Sequence, residues 1–305
     1  MSAIVIGLPG NETLVAALAR GLNAEQGALT IRQFPDGETY VRSGGTVLGR
    51  SVVLACGLER PDAKTLPLYL TAATLREQGA QRLILVAPYL AYMRQDKVFH
   101  EGEGVSAGHY ARWLSSFVDA LVTVDPHLHR IHDLAEIYSI PTRIVAAAPA
   151  ISQWIRERLP MALLIGPDQE SRQRVASVAL SSNCPFVVLN KIRRGDRDVE
   201  VSVPDVDHWR DHVPVLVDDI ISTAHTMIET VGHLRRFGLQ PPTCIGVHAV
   251  FAGQAYDQLL AAGAAAVVTC NTIAHPTNAI DIHPAIIASV SSLLVMPENM
   301  KIQAA

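Results

Sequence analysis

Two adjacent carboxylates stand next to a hydroxyl-rich turn in the second half of the chain. The apolar residues 213–217 read as a buried strand that ends at Asp218 and Asp219, and a Ser/Thr-rich turn then opens a helix that continues through Leu234. Backbone N–H groups at the start of a helix bind anions, and the helix dipole favours negative charge there. Carboxylates repel phosphate but accept hydrogen bonds from a sugar diol. The pattern predicts a sugar-phosphate pocket, with helix capping as the alternative interpretation, and its residues are Asp218, Asp219, Ser222, Thr223, Ala224, His225 and Thr226.

A second group of this kind follows the predicted strand at residues 29–34. Phe34 and the carboxylates of Asp36 and Glu38 surround a Pro/Gly turn. An ordinary turn explains these residues equally well. The alternative is an adenine site, because an aromatic ring stacks on a purine and carboxylates accept hydrogen bonds from its amino group.

A cationic segment comes directly after the predicted strand at residues 82–87. Arg94 carries the planar fork that suits a phosphate, and Lys97 adds a mobile point charge. Ligands of open α/β sheets bind beyond the carboxyl ends of the strands. The charges alone also fit a solvated surface loop.

Three histidines, His127, His129 and His132, follow the predicted strand at residues 120–124. They lack the further ligands of a closed zinc site, so the sequence favours a single His127 that touches a phosphate or contacts Mg²⁺ indirectly. In the second half, Asp168 follows the predicted strand at residues 162–165. A carboxylate there suits Mg²⁺, which prefers oxygen ligands and keeps several waters.

The elements that position these groups alternate along the chain. Short Val/Ile/Leu/Ala runs separate helical patterns, which predicts parallel sheets covered by helices on both faces. Asn11 is predicted to cap a helix that ends at Leu22, and Ser106 a helix that ends at Phe117. The predicted strands cover residues 3–8, 29–34, 51–56, 82–87, 120–124, 162–165, 186–189, 213–217, 243–250 and 265–270.

Two stretches of the chain repeat the same order of elements. Residues 75–79 end a helix with a glycine before the strand at 82–87, and residues 234–238 do the same before the strand at 243–250. Glycine is common at a helix C-terminus, but residues 117–125 and 262–270 repeat the next step as well. The predicted fold class is α/β with two duplicated domains, residues 1–145 and 146–305, each a mainly parallel sheet flanked by helices.

Composition limits the classes of function. The 305 residues are 49% hydrophobic and 18% charged, with a formal net charge of −4, which suits two globular domains. This charge gives no basic surface for nucleic acid or an anionic membrane. The 4 cysteines are scattered singly, without zinc or redox spacing, and we expect reduced thiols in a cytoplasmic protein. The N-terminus reads as a strand rather than a signal peptide, and no apolar run reaches about 18 residues.

The order of these motifs resembles that of the ribose-phosphate diphosphokinase (PRPP synthetase) family. Segments 34–42, 94–96 and 215–226 are similar to the family's adenine-binding, ATP-contacting and ribose-5-phosphate-binding segments. The resemblance implies two domains of the type I phosphoribosyltransferase fold, ATP and ribose 5-phosphate as substrates, and Mg²⁺ as cofactor. The implied ATP-binding residues are Phe34, Asp36, Glu38, Arg94, Gln95 and Asp96, and the implied metal residues are His127 and Asp168.

Residues 191–198 acquire a catalytic role only through this resemblance. Their charges indicate a hairpin exposed to water, whereas similar residues in the family open a mobile catalytic loop. The implied catalytic residues are Lys191, Arg193 and His127, and the two cations are expected to stabilise charge that moves between oxygens. The implied reaction transfers the β,γ-diphosphoryl group of ATP to the 1-hydroxyl of ribose 5-phosphate, which gives PRPP and AMP. The family's shared adenine site also implies self-association, at least as a dimer.

The chain departs from the family pattern at two places. Gln169-Glu170-Ser171 replaces small residues, and Ala224-His225 replaces two glycines, which permit close backbone approach and positive φ. We expect His225 to compensate by contacting the 5-phosphate through its side chain. Two alternatives remain. A PRPP-using phosphoribosyltransferase leaves the ATP-like segments without a role, and a catalytically silent regulatory subunit is favoured by the departures.

Overall fold

The computed structural model divides the chain into two units. It describes residues 3–167, 169, 171–193, 199–202 and 206–295. The first unit comprises Met1–Val145 together with His283–Ala305, and the second comprises Ala146–Ile282. Each unit is an α/β structure with one six-stranded sheet.

The strands of the first unit form a sheet and a separate hairpin. They are β1 (Ala3–Gly7), β2 (Glu25–Gln26), β3 (Ala28–Gln33), β4 (Thr39–Gly44), β5 (Ser51–Ala55), β6 (Arg82–Val86), β7 (Ala120–Val124) and β8 (Thr142–Val145). The sheet has the order β2-β1-β5-β6-β7-β8, and each neighbouring pair in it is parallel. β3 and β4 pair only with each other and are antiparallel. β5 and β7 are buried at every position, as expected for strands covered on both faces.

The strands of the second unit are arranged in the same way. They are β9 (Ala162–Gly166), β10 (Phe186–Val188), β11 (Asn190–Arg193), β12 (Val199–Ser202), β13 (Val213–Ile221), β14 (Thr243–Ala249), β15 (Ala266–Cys270) and β16 (Asn278–Ile280). The sheet has the order β10-β9-β13-β14-β15-β16 with parallel neighbours, and β11 and β12 form an antiparallel hairpin.

Helices connect the strands and turn an apolar face inward. In the helix that precedes β14, for example, the buried Met227, Val231 and Leu234 recur at helical spacing. The α-helices are α1 (Glu12–Gly21), α2 (Asp62–Glu77), α3 (Ser106–Ser115), α4 (Ala148–Arg158), α5 (Arg172–Ser182), α6 (His225–Arg236), α7 (Ala255–Ala261) and α8 (His283–Leu294), and short 3₁₀ helices lie at Leu134–Glu136 and Val206–Trp209.

The two sheets confirm the predicted duplication. When β1 is matched with β9, each later strand of the first unit corresponds, in chain order, to a strand at the same position of the second unit. The hairpins correspond as well, because β3–β4 lies in the chain between β2 and β5 and β11–β12 lies between β10 and β13. The hairpin β3–β4 that carries Phe34 at its loop therefore corresponds to the hairpin β11–β12 that carries Lys191 and Arg193. Sequence alone linked only the helix-to-strand steps before β6 and β14 and the strands β7 and β15.

The units exchange one helix. α4 follows β8 of the first unit but belongs to the second, where Ser152 Oγ donates to Val178 O at 3.2 Å. α8 follows β16 of the second unit but belongs to the first, where Arg82 Nη1 donates to Leu293 O at 2.6 Å. The predicted domains were residues 1–145 and 146–305. The structure differs from this prediction at the C-terminus, because α8 follows the second unit in sequence but belongs to the first.

Two predicted helix caps have other hydrogen-bond partners. Asn11 does precede α1, but its side chain donates to Leu8 O and accepts from Gly57 N instead of capping the helix. Ser106 lies inside the first turn of α3, and its hydroxyl donates to Gln95 Oε1. In both cases a contact with a neighbouring loop replaces the local cap.

The remaining features of the fold concern the surface and the thiols. Among the residues described, no helix has both the length and the apolar character needed to cross a membrane. Cys56, Cys184, Cys244 and Cys270 are free thiols. Burial raises the pKa of Cys56 and of Cys244 to about 12, so these thiols are protonated at neutral pH.

The exchanged helix gives a first prediction. Ile286 of α8 is fully buried, and replacing it with alanine is expected to cost about 2–5 kcal/mol of unfolding free energy. Because α8 belongs to the first unit, amide hydrogen exchange should accelerate in β7 and β8 but not in β15 and β16.

Ser291→Ala on the exposed face of α8 is the matched control, with an expected change within about 0.5 kcal/mol. Faster exchange in β15 instead of β7 would contradict the assignment of α8 to the first unit.

Candidate active site

Each sheet has one place where two neighbouring strands lead to opposite sides. In the second unit β9 and β13 are neighbours, but β9 leads to β10 on one side and β13 leads to β14 on the other. In the first unit β1 and β5 are related in the same way. Open α/β sheets bind ligands beyond the carboxyl ends of such strands. This edge is therefore the expected place for a ligand in each unit.

β13 extends beyond its neighbour at this edge of the second unit. It pairs with β9 only as far as Leu216, opposite Ile165, but with β14 as far as Ile221, opposite Ala249. The predicted strand ended at residue 217, and this end is wrong because β14 continues alongside and pairs with Asp218, Ile220 and Ile221. Asp218 and Asp219 therefore belong to the strand, at the part of it that β9 no longer flanks.

Backbone hydrogen bonds orient the two carboxylates. Asp218 Oδ1 accepts from the backbone N–H of Asp219 at 2.9 Å, and Asp219 Oδ1 accepts from that of Ile220 at 3.0 Å. Asp218 is half-buried and Asp219 is buried. Since successive residues of a strand face opposite sides of a sheet, the two carboxylates are not equivalent. The partly exposed Asp218 is the more accessible of the two.

The turn after β13 has a left-handed residue at the second departure from the family pattern, where Ala224 replaces a glycine. Ala224 has φ 57° and ψ 11° and immediately precedes α6. L-residues with a Cβ adopt this conformation at a cost, whereas glycine does not. Its methyl group is buried in the core of the second unit. The alanine therefore keeps the backbone conformation for which glycine is the usual residue.

The polar residues of the turn lie at the surface. Ser222 is half-buried, and Thr223, His225 and Thr226 are exposed. The imidazole of His225 is 82% exposed and lies 3.6 Å from the carboxylate of Glu229, one helical turn further on. The structure thus brings together Asp218, Asp219 and the start of α6. The contact between His225 and a phosphate stays a prediction.

In the first unit, an arginine organises the predicted adenine-binding hairpin. Phe34 is 39% exposed and meets Tyr40 edge to face. The guanidinium of Arg32 lies 4.7 Å from the centre of the Phe34 ring and 4.3 Å from that of Tyr40. Asp36 Oδ1 accepts from the backbone N–H of Glu38 at 3.2 Å and shapes the turn. Both carboxylates and the ring are exposed to solvent. The sequence analysis missed Arg32. The residue is two positions before Phe34 and opposite Tyr40 in the hairpin, so only the strand pairing shows that its guanidinium reaches both rings.

The loop after β6 is fixed by a strained tyrosine. Tyr92 has φ 63°, and its hydroxyl donates to Asp62 while its ring packs on Tyr110 at 4.6 Å. The hydrogen bond to Asp62 raises the pKa of Tyr92. Gln95 is held by Ser106, whereas Arg94 is exposed. Arg94 is thus presented to solvent from a loop that is anchored on both sides.

Asp96 is directed into the protein. Its side chain is 2% exposed and accepts from the backbone N–H of Arg130 at 3.1 Å and from the Arg130 guanidinium at 3.0 Å. Burial alone raises the pKa of Asp96, but the bonds to Arg130 outweigh it and lower the pKa below its usual value. Asp96, predicted to bind ATP, therefore holds Arg130, a residue that the sequence analysis did not single out. Their 34-residue separation leaves no local signal for the pair.

The remaining predicted residues are placed only in part. The rings of His127 and His129 are stacked with their centres 6.0 Å apart. No group of three or more potential metal ligands occurs among the described residues. Lys191 and Arg193 lie in β11 opposite Val201 and Val199, and only their backbones are described. Asp168 lies outside the described residues.

Comparisons with known families match both halves of the chain. The family model described as the N-terminal domain of ribose phosphate pyrophosphokinase matches residues 3–117. The model described as the phosphoribosyl transferase domain matches residues 133–285. The second match alone covers half of the chain.

Individual proteins match over nearly the whole length. A ribose-phosphate pyrophosphokinase of Methanopyrus kandleri is 32% identical over 95% of this chain and 99% of its own. One of Thermococcus kodakarensis is 34% identical over 83% of this chain and 89% of its own. The crystal structure of a phosphoribosylpyrophosphate synthetase from Mycobacterium smegmatis superposes with a TM-score of 0.83 at 22% identity, over 96% of this chain and 99% of that one, and shows the same fold.

The left-handed alanine leads to a prediction about stability. Ala224→Gly removes a strain of about 1–2 kcal/mol but also a buried methyl worth about 0.8 kcal/mol. Urea denaturation should therefore show no loss, or a gain of up to about 1 kcal/mol.

Ala255→Gly is the matched control, since Ala255 is buried in the first turn of α7. This substitution should destabilise by about 1 kcal/mol or more, because it removes a methyl and lowers helix propensity. Equal destabilisation by the two substitutions would contradict the strain at Ala224.

The Asp96–Arg130 pair predicts a pH-dependent effect. Arg130→Gln should lower the free energy of unfolding at pH 7 by about 1–2 kcal/mol, because the buried carboxylate of Asp96 loses its charged partner. The loss is moderate because the Arg130 guanidinium is partly exposed. The pKa of Asp96 is lowered on folding, so this stabilisation is present above the unfolded value of about 3.9 and disappears as pH falls through the folded pKa.

Urea denaturation at pH 7 and in steps below pH 4 checks this difference. Arg210→Gln, which removes the exposed pair with Asp207, should change stability by less than about 0.5 kcal/mol at either pH. A difference for Arg130→Gln that persists unchanged at low pH would rule out the ionised Asp96 as its cause.

Proposed function

The chain belongs to the ribose-phosphate pyrophosphokinase family, and from this premise we propose how its residues divide the reaction. The enzyme transfers the β,γ-diphosphoryl group of ATP to the 1-hydroxyl of ribose 5-phosphate, and the products are PRPP and AMP. The observation that carries this function is the match to a ribose-phosphate pyrophosphokinase at 32% identity over 95% of the chain.

Ribose 5-phosphate binds at the end of β13 in this proposal. The exposed N-terminus of α6 and the hydroxyls of Ser222, Thr223 and Thr226 receive the 5-phosphate, since free N–H groups and the helix dipole favour an anion. Asp218, with Asp219 behind it, accepts hydrogen bonds from the ribose diol. The left-handed backbone at Ala224 supports this assignment, because the turn has a glycine-like course despite the substitution. The silent regulatory subunit loses support for the same reason.

ATP binds to residues of the first unit. The Phe34 ring, held by Arg32 and Tyr40, stacks on adenine, and the carboxylates of Asp36 and Glu38 accept from its amino group. Arg94 binds the polyphosphate, and Gln95 fixes the loop. We assign Asp96 a positioning role toward Arg130, whose half-exposed guanidinium adds a second cation to that of Arg94.

The residues present fit a Mg²⁺ ion that is bound mainly through the substrate phosphates. This ion is usually bound by one or two protein ligands, several waters and substrate phosphates, so a cluster of three protein ligands is not required. His127 and Asp168 would hold it, directly or through water. When bound, Mg²⁺ neutralises charge on the phosphate oxygens.

The transfer needs positioning and positive charge more than a strong base. The 1-hydroxyl oxygen of the sugar forms a bond to the β-phosphorus, the bond from this phosphorus to the bridging α,β-oxygen breaks, and AMP leaves with that bond's electrons. The proton of the hydroxyl is released to water. Lys191 and Arg193 stabilise the charge that moves onto the leaving oxygen. The position of both residues on one short hairpin supports a common role.

Self-association completes the proposal. The Phe34 hairpin is a separate two-stranded sheet whose loop is exposed. An exposed ring with two carboxylates at such a tip is suited to close the ATP site of another subunit. We therefore propose at least a dimer in the cytoplasm, with an adenine site shared between subunits.

An AMP-release assay tests this function. The enzyme, ATP and Mg²⁺ are incubated with and without ribose 5-phosphate, and AMP is quantified by chromatography. AMP should form only with the sugar phosphate, and Lys191→Ala should lower kcat by roughly a thousandfold or more.

Arg158→Ala, which removes an exposed cation of α4 in the same unit, is the control and should leave kcat unchanged. Binding of ribose 5-phosphate without sugar-dependent AMP release would favour the silent regulatory subunit. Consumption of PRPP with a free base would favour a phosphoribosyltransferase.

A further inference from the structure

The loop after β14 is hydrogen-bonded to the sugar-phosphate turn. The backbone N–H of Phe251 donates to Ile221 O at 2.8 Å, and that of Ala252 donates to Ser222 O at 3.0 Å. Ile221 is the last residue of β13 and Ser222 the first residue of the turn. Two consecutive N–H groups therefore fix the course of the chain where it leaves the strand.

This pair of bonds depends on a strained backbone. Phe251 has φ 34°, outside the regions that residues with a Cβ normally adopt. Such conformations persist only when their surroundings hold them, and they cluster at binding and catalytic sites. An extended Phe251 would direct its N–H and that of Ala252 elsewhere.

Two further rings hold Phe251 in place. Its ring centre lies 4.6 Å from that of His275 and 5.6 Å from that of Tyr256, and the last two are 5.5 Å apart. Contacts of this kind between rings contribute beyond the area that they bury. The three rings thus form a triangle that anchors the side chain of the strained residue.

His275 is in turn fixed to β15 and the loop before β16. Its Nδ1 lies 2.8 Å from Thr277 Oγ1 and accepts from the backbone N–H of Thr277 at 3.3 Å. Thr277 Oγ1 lies 2.8 Å from Thr269 Oγ1 in β15. Burial lowers the pKa of His275, which keeps the ring neutral and its Nδ1 able to accept. Hydrogen bonds thus connect β15 to the ring triangle.

We infer that Phe251 is a positioning residue for ribose 5-phosphate, and that His275 acts through it. The two N–H groups hold Ile221 and Ser222 so that the turn begins in its binding conformation before the ligand arrives. This inference rests on the proposed assignment of residues 222–226 to the sugar phosphate. Neither Phe251 nor His275 is required to touch the ligand.

Calorimetric binding of ribose 5-phosphate, and separately of ATP, tests the inference on the full chain. Phe251→Ala should weaken binding of the sugar phosphate about tenfold, as expected when a strained, pre-formed site is lost. ATP binding should change less than about twofold, because ATP is assigned to the first unit. His275→Ala should also weaken binding of ribose 5-phosphate. Phe251→Tyr, which keeps the ring, should bind the sugar phosphate as the wild type does.

Phe237→Ala is the matched control, since Phe237 packs against the same core but lies at the far end of α6. It should lower the melting temperature without changing ribose 5-phosphate affinity. Equal weakening by Phe237→Ala and Phe251→Ala, or equal loss of ATP binding, would overturn the positioning role, as would a wild-type chain that binds no ribose 5-phosphate.

A failed positioning role is distinguishable from a failed function. Binding is measured without turnover, so a wild-type chain that binds the sugar phosphate but releases no AMP refutes the diphosphokinase assignment alone. Tight binding by all the variants in an enzyme that does release AMP refutes the positioning role alone.

Discussion

Most of the candidate chemistry outside the two hairpins depends on one constraint, which is that parallel strands end at a common edge. A parallel sheet needs a crossover after each strand, and every crossover begins with a turn at the carboxyl edge. These turns must bend abruptly toward a helix or the next strand, and the φ angles of this chain reflect the bends. Of the 7 non-glycine residues with positive φ among those described, Asn23 and Asn183 follow helices, whereas the other five follow strands at this edge: Arg60, Tyr92, Asp125, Ala224 and Phe251.

The duplicated units differ at the equivalent places after β5 and β13. In the first unit, Asn11 Oδ1 accepts from the backbone N–H of Gly57 at 2.8 Å, and Lys64 donates to Gly57 O at 2.7 Å while pairing with Glu59. These contacts fill the place that corresponds to the sugar-phosphate turn of the second unit. The candidate ATP residues of the first unit lie instead after β6 and β7 and on the hairpin. The side chains of the first unit thus bond to each other at this place, whereas the proposed anion site of the second unit has an exposed, hydroxyl-rich turn there.

The sequence predicts the central strands of both sheets because they are buried on both faces and read as unbroken apolar runs, as in β5 and β7. It misses the edge strands β2, β8 and β16. It also predicts that polar side chains gather near the carboxyl ends of the strands, although β13 continues past Asp218 to Ile221. Among the features that the sequence does not predict, three depend on tertiary contacts. The Asp96–Arg130 pair is a contact between distant loops, the exchange of α4 and α8 depends on packing across the repeat, and the conformations of Ala224 and Phe251 are enforced by tertiary contacts against their own preferences. Local patterns carry no information on any of these.

The two strained residues of the second unit have related causes and consequences. A glycine at position 224 would reach the left-handed region freely but would also leave it freely. An alanine has fewer alternatives in the unfolded chain and is left-handed here because its methyl is packed in the core and the preceding residues are held by Phe251 and Ala252. The strained alanine is therefore compatible with the turn only because the neighbouring loop fixes the chain just before it. The left-handed alanine and the two hydrogen bonds from the loop after β14 therefore act on the same turn, the one proposed to receive the 5-phosphate, and a turn that is already ordered loses little backbone entropy when a ligand binds.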